Sequence, residues 1–204
     1  MSKLEKRDPK QNRAIEKKEK IIESGFKLIC EQGYYNTNTA LIAKKAGVST
    51  GIVYQYFQDK YDIFMNALEK YGSDIFFPML KIKSKDFDVK NFDKILKNMI
   101  DKYINNHIVS EIAHEEIMAM VHSDKRVAEY YYNREIEMTN YLKNLLVNTG
   151  VKDNHLSEKV HIMIGMIDNL CHEKIYHKHS NMNYDIMTYI VIENINNMFK
   201  DSLE

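Results

Sequence analysis

Apolar residues recur along this chain mainly at intervals of three and four, the spacing of one face of an α-helix. The first such run covers residues 14–32 and ends at Gly33. Two shorter helical runs follow, over residues 39–46 and 50–56. No stretch shows the strict alternation of a half-buried strand between turn dipeptides, so the pattern predicts an all-α protein.

The same spacing continues beyond residue 60 with a fourth helix, which Pro78 should end or kink. After a polar loop, five more helices are predicted over residues 92–104, 108–122, 127–147, 156–177 and 184–199. The pattern therefore predicts about nine helices in total. They form an N-terminal three-helix helix-turn-helix head over residues 14–60 and a helical body over residues 61–204. A charged segment over residues 1–13, with little to bury, predicts a flexible basic arm.

The two short helices are separated by Gly47-Val48-Ser49, a connection short enough to require a tight corner between crossed helices. Gly47 suits the left-handed conformation that ends a helix. Ser49 and Asn38 carry side-chain oxygens that can cap the helices that follow them. The sequence therefore predicts a helix-turn-helix motif over about residues 38–57.

The outward face of this motif carries hydroxyl, amide and amino groups, together with a glycine that lets the backbone approach a groove. Such groups hydrogen-bond to phosphates and base edges, so they favour DNA as the partner. The candidate DNA-contacting residues are Thr37, Asn38, Ser49, Thr50, Gly51, Ile52, Tyr54, Gln55, Tyr56 and Lys60. For any single residue an ordinary surface role is the alternative, and the DNA interpretation depends on the whole spacing.

The motif also resembles a known family. The residues that carry the resemblance are Gly33-Tyr34, Thr37, Ile42-Ala43, Ala46-Gly47-Val48-Ser49, Gly51 and Tyr54-x-Tyr56-Phe57-x-x-Lys60. They are very similar to the N-terminal domain of the TetR family of bacterial transcriptional regulators over about residues 14–70. The segment Gly165–Leu170 resembles a short pattern in that family's penultimate helix. Thr50 departs from the family, which often has lysine there, and Leu41 stands where a polar residue is usual.

The resemblance implies a sequence-specific regulator that binds a palindromic operator as a homodimer through its last two helices. It implies a repressor controlled by a small-molecule effector, and it gives Lys60 a phosphate-binding role. The helices that it places around an effector cavity carry flexible and amphipathic side chains, namely Met99, Tyr103, Met118, Met138 and Tyr141. Such a lining would suit an apolar or aromatic ligand.

Charge is unevenly distributed although the 29 basic and 29 acidic residues cancel. Residues 1–60 hold 12 Lys and Arg against 7 Asp and Glu, so the remaining residues are acidic by the same margin of five. The negative phosphates of DNA attract a basic head and repel an acidic body, so this distribution of charge would orient the head toward DNA. The charged N-terminus lacks a signal-peptide pattern, and no apolar run is long enough to span a membrane, so a cytoplasmic protein without membrane contact is expected.

The 8 histidines raise an alternative, a regulator that responds to metal or pH through its body. His107, Glu111, His114 and His122 would share one face if a single helix ran through all of them. A metal-dependent hydrolase and a helical interaction module are further rivals. Because no glycine-rich phosphate loop, H-E-x-x-H sequence or nucleophile elbow is present, no enzyme activity, cofactor or metal site is predicted.

Overall fold

The computed structural model describes residues 9–76, 88–106 and 108–203, and within them it contains nine α-helices and no strand. The helices are α1 Pro9–Gln32, α2 Thr39–Ala46, α3 Thr50–Tyr56, α4 Lys60–Phe76, α5 Phe92–Asn106, α6 Glu111–Ser123, α7 Lys125–Asn148, α8 Leu156–Tyr176 and α9 Tyr184–Leu203. A 3-10 turn, Val89–Asn91, leads into α5. The predicted all-α class is confirmed. No helix in these ranges is long and apolar enough to cross a membrane.

Two helices begin three or more residues away from their predicted starts. α1 begins at Pro9, five residues before the predicted start, because residues 9–13 contain no aliphatic or aromatic residue that the apolar pattern could detect. α6 begins at Glu111 rather than at residue 108, because the Ser110 side chain caps it by accepting a hydrogen bond from the Ala113 N–H. The rest of the predicted arm, residues 1–8, and Pro78 lie outside the described residues.

The chain divides into two compact units. The first unit holds the residues up to Gly72 together with Ile108–Val127, and the second holds Ser73–His107 and Ala128–Glu204. The chain therefore leaves the first unit within α4, returns to it for α6, and leaves it again near the start of α7. This division places α6 in the same unit as the helix-turn-helix motif.

The first unit is built on an apolar core shared by α1 to α4. Its fully buried members are contributed by every one of these helices and are Ile21, Ile22, Leu28, Ile42, Ala43, Ala46, Val53, Phe57, Ile63 and Ala67. Gly25 allows α1 and α4 to approach closely, since a Cβ atom there would lie 2.6 Å from the buried Ile63 side chain. This packing fixes α2 and α3 against a rigid base.

The second unit packs α5 against α8 and α9, and α8 against α9. Phe92 and Phe199 meet edge to face with ring centroids 5.4 Å apart. Near the end of α9, Asp153 accepts hydrogen bonds from Lys159 and Ser202, which hold its pKa well below the usual range for a carboxyl. These contacts join the C-terminal end of α9 to α5 and to the segment that leads into α8.

Candidate nucleic-acid interface

The corner between α2 and α3 is closed by backbone hydrogen bonds that only a left-handed residue permits. Gly47 has φ +67°, and the N–H of Val48 donates to the Ala43 carbonyl over 3.0 Å. A residue with a Cβ atom is disfavoured in this conformation, which explains glycine at this position. The predicted left-handed role of Gly47 is confirmed.

Both helices of the motif have side-chain caps. The Asn38 Oδ1 atom accepts from the Leu41 N–H at 2.9 Å, and the Ser49 Oγ atom accepts from the Ile52 N–H at 3.3 Å. Each cap satisfies one of the backbone donors that a helix N-terminus leaves unpaired, as predicted. The remaining N–H groups of the first turn create a positive end suited to a phosphate.

One face of α3 presents a polar surface to solvent. Thr50, Gly51, Tyr54 and Gln55 are all exposed, and the buried Val53 fastens the opposite side of the helix. Seven residues of helix thus present four of them outward on a fixed base. A helix held in this way offers a rigid reading surface rather than a mobile loop.

Ile52 and Tyr56 lie differently from the other predicted contact residues. Both are half-buried and pack against the apolar core of the first unit. Tyr54, in contrast, projects outward, and its hydroxyl lies 3.0 Å from the hydroxyl of Thr39. That pair links the start of α2 to the exposed face of α3 and orients both hydroxyl groups.

Thr37 and Lys60 make contacts within the protein that the sequence did not indicate. Thr37 is buried, and its hydroxyl donates to the Gly33 carbonyl at 2.8 Å. The Lys60 ammonium donates to the Tyr34 carbonyl at 2.8 Å and lies 4.0 Å from the centre of the Tyr34 ring. Burial lowers the pKa of Lys60. Since an ammonium group has three N–H donors, two remain for another partner.

Two exposed lysines on α1 lie near the motif and were missed by the sequence reasoning. The Lys18 ammonium lies 5.7 Å from the centre of the Phe57 ring, just after α3. The Lys20 ammonium would be 3.6 Å from a Cβ atom placed on Gly47. Their charge brings basic groups to both ends of α3, whereas Lys60 was the one lysine predicted from sequence to contact DNA.

Helix α6 fastens the turn that precedes α2. The Glu116 carboxylate accepts from the Tyr35 N–H at 2.9 Å, and the Ser110 N–H donates to the Cys30 carbonyl at 2.9 Å. At the other end of α6, the Tyr61 hydroxyl donates to Asp124 at 2.7 Å. The helix is thereby bonded to α1, to the turn and to α4 within the first unit.

The histidine pattern does not form a metal centre in the described ranges, where no three His, Cys, Asp or Glu side chains come together suitably. His107 lies outside those ranges, and α6 begins only at Glu111. His114 is buried and His122 is exposed, so the two do not share an environment. Met118 also lies on α6 in the first unit, apart from Met99, Tyr103 and Met138, which are buried in the second.

The capped corner, its buried base and its exposed polar face define a helix-turn-helix protein. Residues 21–67 match the family described as bacterial regulatory proteins, tetR family. Over 64 residues the chain is 47% identical to the HTH-type transcriptional regulator HbdR of Aromatoleum sp. (strain CIB), an alignment that covers 29% of this chain and 28% of HbdR. The segment over residues 21–67 is thus similar to the DNA-binding domain of TetR-family transcriptional regulators.

Similarity beyond the motif is lower. The HTH-type transcriptional regulator YerO of Bacillus subtilis (strain 168) is 23% identical over 191 residues, which cover 90% of this chain and 64% of YerO. The chain thus spans less than two thirds of the length of both relatives. A crystal structure of a transcriptional regulator from Rhodococcus sp. Rha1 shares the fold, with a TM-score of 0.67 at 14% identity over 92% of this chain and 98% of that one.

Proposed function

We propose that this protein is a sequence-specific DNA-binding transcriptional regulator, acting in the cytoplasm as a repressor that a small molecule releases from a palindromic operator. The observation that carries the proposal is the exposed polar face of α3 on a capped and buried base. An α-helix presented in this way fits the major groove of B-DNA. The names of HbdR and YerO, both transcriptional regulators, support the same conclusion.

Base recognition falls to the side chains that reach furthest from α3. Gln55 is exposed, and its amide can donate and accept together, as recognition of an adenine edge requires. Tyr54 offers a hydroxyl that Thr39 already orients. Gly51 leaves space for close approach, because its surroundings hold little apart from the Ser49 hydroxyl 3.8 Å from a hypothetical Cβ atom.

Phosphate contacts fall to groups at the edges of the motif. The first turns of α2 and α3 provide free backbone N–H groups beside Asn38 and Ser49. Lys60 retains two donors after its bond to Tyr34, and Lys18 and Lys20 add charge on α1. These contacts position the protein on DNA without selecting a sequence.

A homodimer would bring two such motifs to one palindrome. The outward faces of α8 and α9 carry exposed apolar side chains, among them Ile162, Ile186, Tyr189 and Ile190. Gly165 lies three residues after Ile162 on α8, with nothing within 4 Å of a hypothetical Cβ atom. Glycine in an exposed helix costs about 1 kcal/mol relative to alanine, and the close approach of a second helix would explain its presence.

Selection from a random DNA library with the purified full chain tests the proposal. One inverted-repeat sequence should be recovered, with half-sites about one helical turn, roughly 34 Å, apart. Recovery of no motif, both before and after refolding to remove a bound ligand, would contradict a sequence-specific regulator.

Two variants then separate the roles of the contact residues on the recovered operator. Gln55→Ala should relax base preference at particular positions, because it removes a base-reading group. Lys60→Ala should weaken binding to all sequences and reduce the salt slope by about one, because it removes a phosphate contact. Normal operator affinity for Lys60→Ala at physiological salt would contradict its assigned role.

A further inference from the structure

A buried carboxylate lies at the contact between α5 and α8 in the second unit. The Tyr103 hydroxyl donates to the Asp168 Oδ1 atom over 3.0 Å and lies 2.6 Å from the Nε2 atom of His172. The His172 Nδ1 atom is 3.3 Å from Asp168 Oδ2. These three residues, which we call the Asp168 cluster, are not used by the DNA-binding surface.

The charge of Asp168 is poorly compensated by the protein. Burial raises the pKa of Asp168 to about 7, and the negative charge of Glu135 on α7 acts in the same direction. Among the described residues, no lysine or arginine lies within ion-pair distance of it. Its side chain is nevertheless 18% exposed, and that of His172 is 22% exposed, so the cluster is partly open to solvent.

Aromatic rings lie around the Asp168 cluster. Tyr103 and Tyr176 approach the His172 ring, with centroids 5.6 Å and 6.0 Å away. On α7, the Tyr131 ring packs edge-on against Phe76 with centroids 5.0 Å apart. Burial raises the pKa of the Tyr131 hydroxyl, and the negative charge of Asp168 raises it further. Tyr131 therefore interacts electrostatically with the Asp168 carboxylate.

A carboxylate that has a histidine beside it but no lysine or arginine, set among tyrosine rings, is complementary to a ligand cation. Ring faces attract ammonium groups, and the carboxylate supplies the opposite charge in a site with little water. A neutral ligand would leave the carboxylate uncompensated, and an anion would be repelled by both Asp168 and Glu135.

We propose that the Asp168 cluster is the anchor of a binding site for an organic cation, a ligand with a quaternary or protonated ammonium group. The site rests on the proposed function, because the cation would be the effector of the regulator. Asp168 faces the ammonium charge, the tyrosine rings contact its alkyl groups, and Tyr103 holds the carboxylate in place.

Binding of the cation requires the ionised carboxylate and is therefore linked to pH. Among the described residues, the titratable groups around Asp168 are Tyr103 on α5, Tyr131 and Glu135 on α7, and Cys171 and His172 on α8. Below pH 7 the ligand-free carboxyl holds a proton that the cation must displace. Affinity should therefore rise with pH through this range and level off above it, with release of a proton on binding below pH 7.

Calorimetry on the full chain tests the proposal with defined probes. Benzyltrimethylammonium and choline are titrated in, and 3,3-dimethylbutan-1-ol serves as the neutral isostere of choline. Whichever of the two cations binds more tightly should have an affinity at least about tenfold higher than that of the neutral alcohol at pH 8, as expected for desolvated cation contacts. If the alcohol bound as well as choline and neither cation bound more tightly, the proposal would be overturned.

Variants at the cluster identify the anchoring group. Asp168→Asn should remove the preference for cations, whereas Glu158→Gln, a change to an exposed acid on the same helix, should leave it intact. Tyr103→Phe keeps the carboxylate but loses the hydroxyl that lowers its pKa, so the pH midpoint of cation binding should move upward. This second variant keeps the test decisive if Asp168→Asn does not fold.

The assay contains no DNA, so its result is independent of the operator selection. Unchanged cation binding in Asp168→Asn would refute the site while leaving the regulator proposal intact. Cation binding that depends on Asp168, in a protein that selects no operator, would refute the regulator proposal and support the site.

Discussion

Gly33 shows how one backbone conformation holds the turn before α2 in place. Its φ is +89°, and a Cβ atom there would lie 2.6 Å from a carboxylate oxygen of Glu116. The same carboxylate accepts the Tyr35 N–H, so it cannot move away without losing that hydrogen bond. Glycine thus serves two purposes at this position, a left-handed turn and the close approach of an acid from α6.

Gly33→Ala should destabilise the protein more than Gly150→Ala does. Gly150 also has a positive φ, +94°, but has nothing within 4 Å of a hypothetical Cβ atom. The control therefore reports only the left-handed penalty of about 1–2 kcal/mol, and Gly33→Ala should add roughly 1 kcal/mol or more of steric strain. Urea unfolding measures both values.

Adding Glu116→Ala to Gly33→Ala should recover the steric part, so the two changes should not be additive. Equal free energies of unfolding for Gly33→Ala and Gly150→Ala would show that the Glu116 contact contributes nothing.

The two cysteines make a second residue-scale prediction, because burial raises the pKa of each thiol to about 12. A thiol reacts as the thiolate, so both Cys30 and Cys171 should be nearly inert to a disulfide reagent at pH 8 in the native protein. Both should react at once in denaturant. Rapid native reaction of either thiol, measured by release of the coloured product, would contradict the burial of that residue.

At the scale of elements, the caps of α3 and α6 offer a matched pair. The Ser49 hydroxyl accepts a hydrogen bond from the Ile52 N–H, and the Ser110 hydroxyl accepts one from the Ala113 N–H, each at a distance of 3.3 Å. Either change to alanine should cost about 1 kcal/mol of stability. Only Ser49→Ala should also reduce operator affinity at a temperature where both variants are folded, because only the Ser49 cap orients the reading helix. Thermal unfolding and gel-shift titration measure the two quantities, and equal loss of operator affinity would count against a specific role for Ser49.

Prediction from sequence succeeded for elements defined by neighbouring residues. Asn38, Gly47 and Ser49 each act on groups within a few positions, so their roles follow from local chemistry. The bond from Lys60 to Tyr34 spans 26 residues, and the bond from Tyr35 to Glu116 spans 81. No local rule indicates such partners, and for that reason the association of α6 with the motif was missed.

The Asp168 cluster was hidden for the same reason. Tyr103 and Asp168 are 65 residues apart, and from the sequence Tyr103 was predicted only as one of several side chains lining an effector cavity. The aspartate lay within the Gly165–Leu170 pattern, which was considered for its resemblance to the family rather than for its chemistry. Burial, which turns an ordinary carboxylate into a site, is a property of packing and is not written in the local sequence.

For the whole molecule, the proposed dimer makes the strongest demand on the structure. Ile186 on α9 is 56% exposed and lies on the same face as Tyr189 and Ile190. Three exposed apolar side chains on one face of a helix form a patch that a second copy is expected to cover. Ile186→Lys should therefore shift the mass in light scattering from twice 24.1 kDa toward 24.1 kDa.

Ile112→Lys is the matched control, since Ile112 is 57% exposed but lies on α6 in the first unit. It should remain dimeric. Ile186→Lys should also bind the palindrome about 100-fold or more weakly, because each half-site is then bound without the effective concentration that linkage provides. The binding of a single half-site should stay unchanged, since the lysine is far in sequence from α3 and leaves its reading surface intact. A variant that is fully monomeric yet binds the palindrome normally would mean that the two half-sites are read independently, and the dimer would then have no role in recognition.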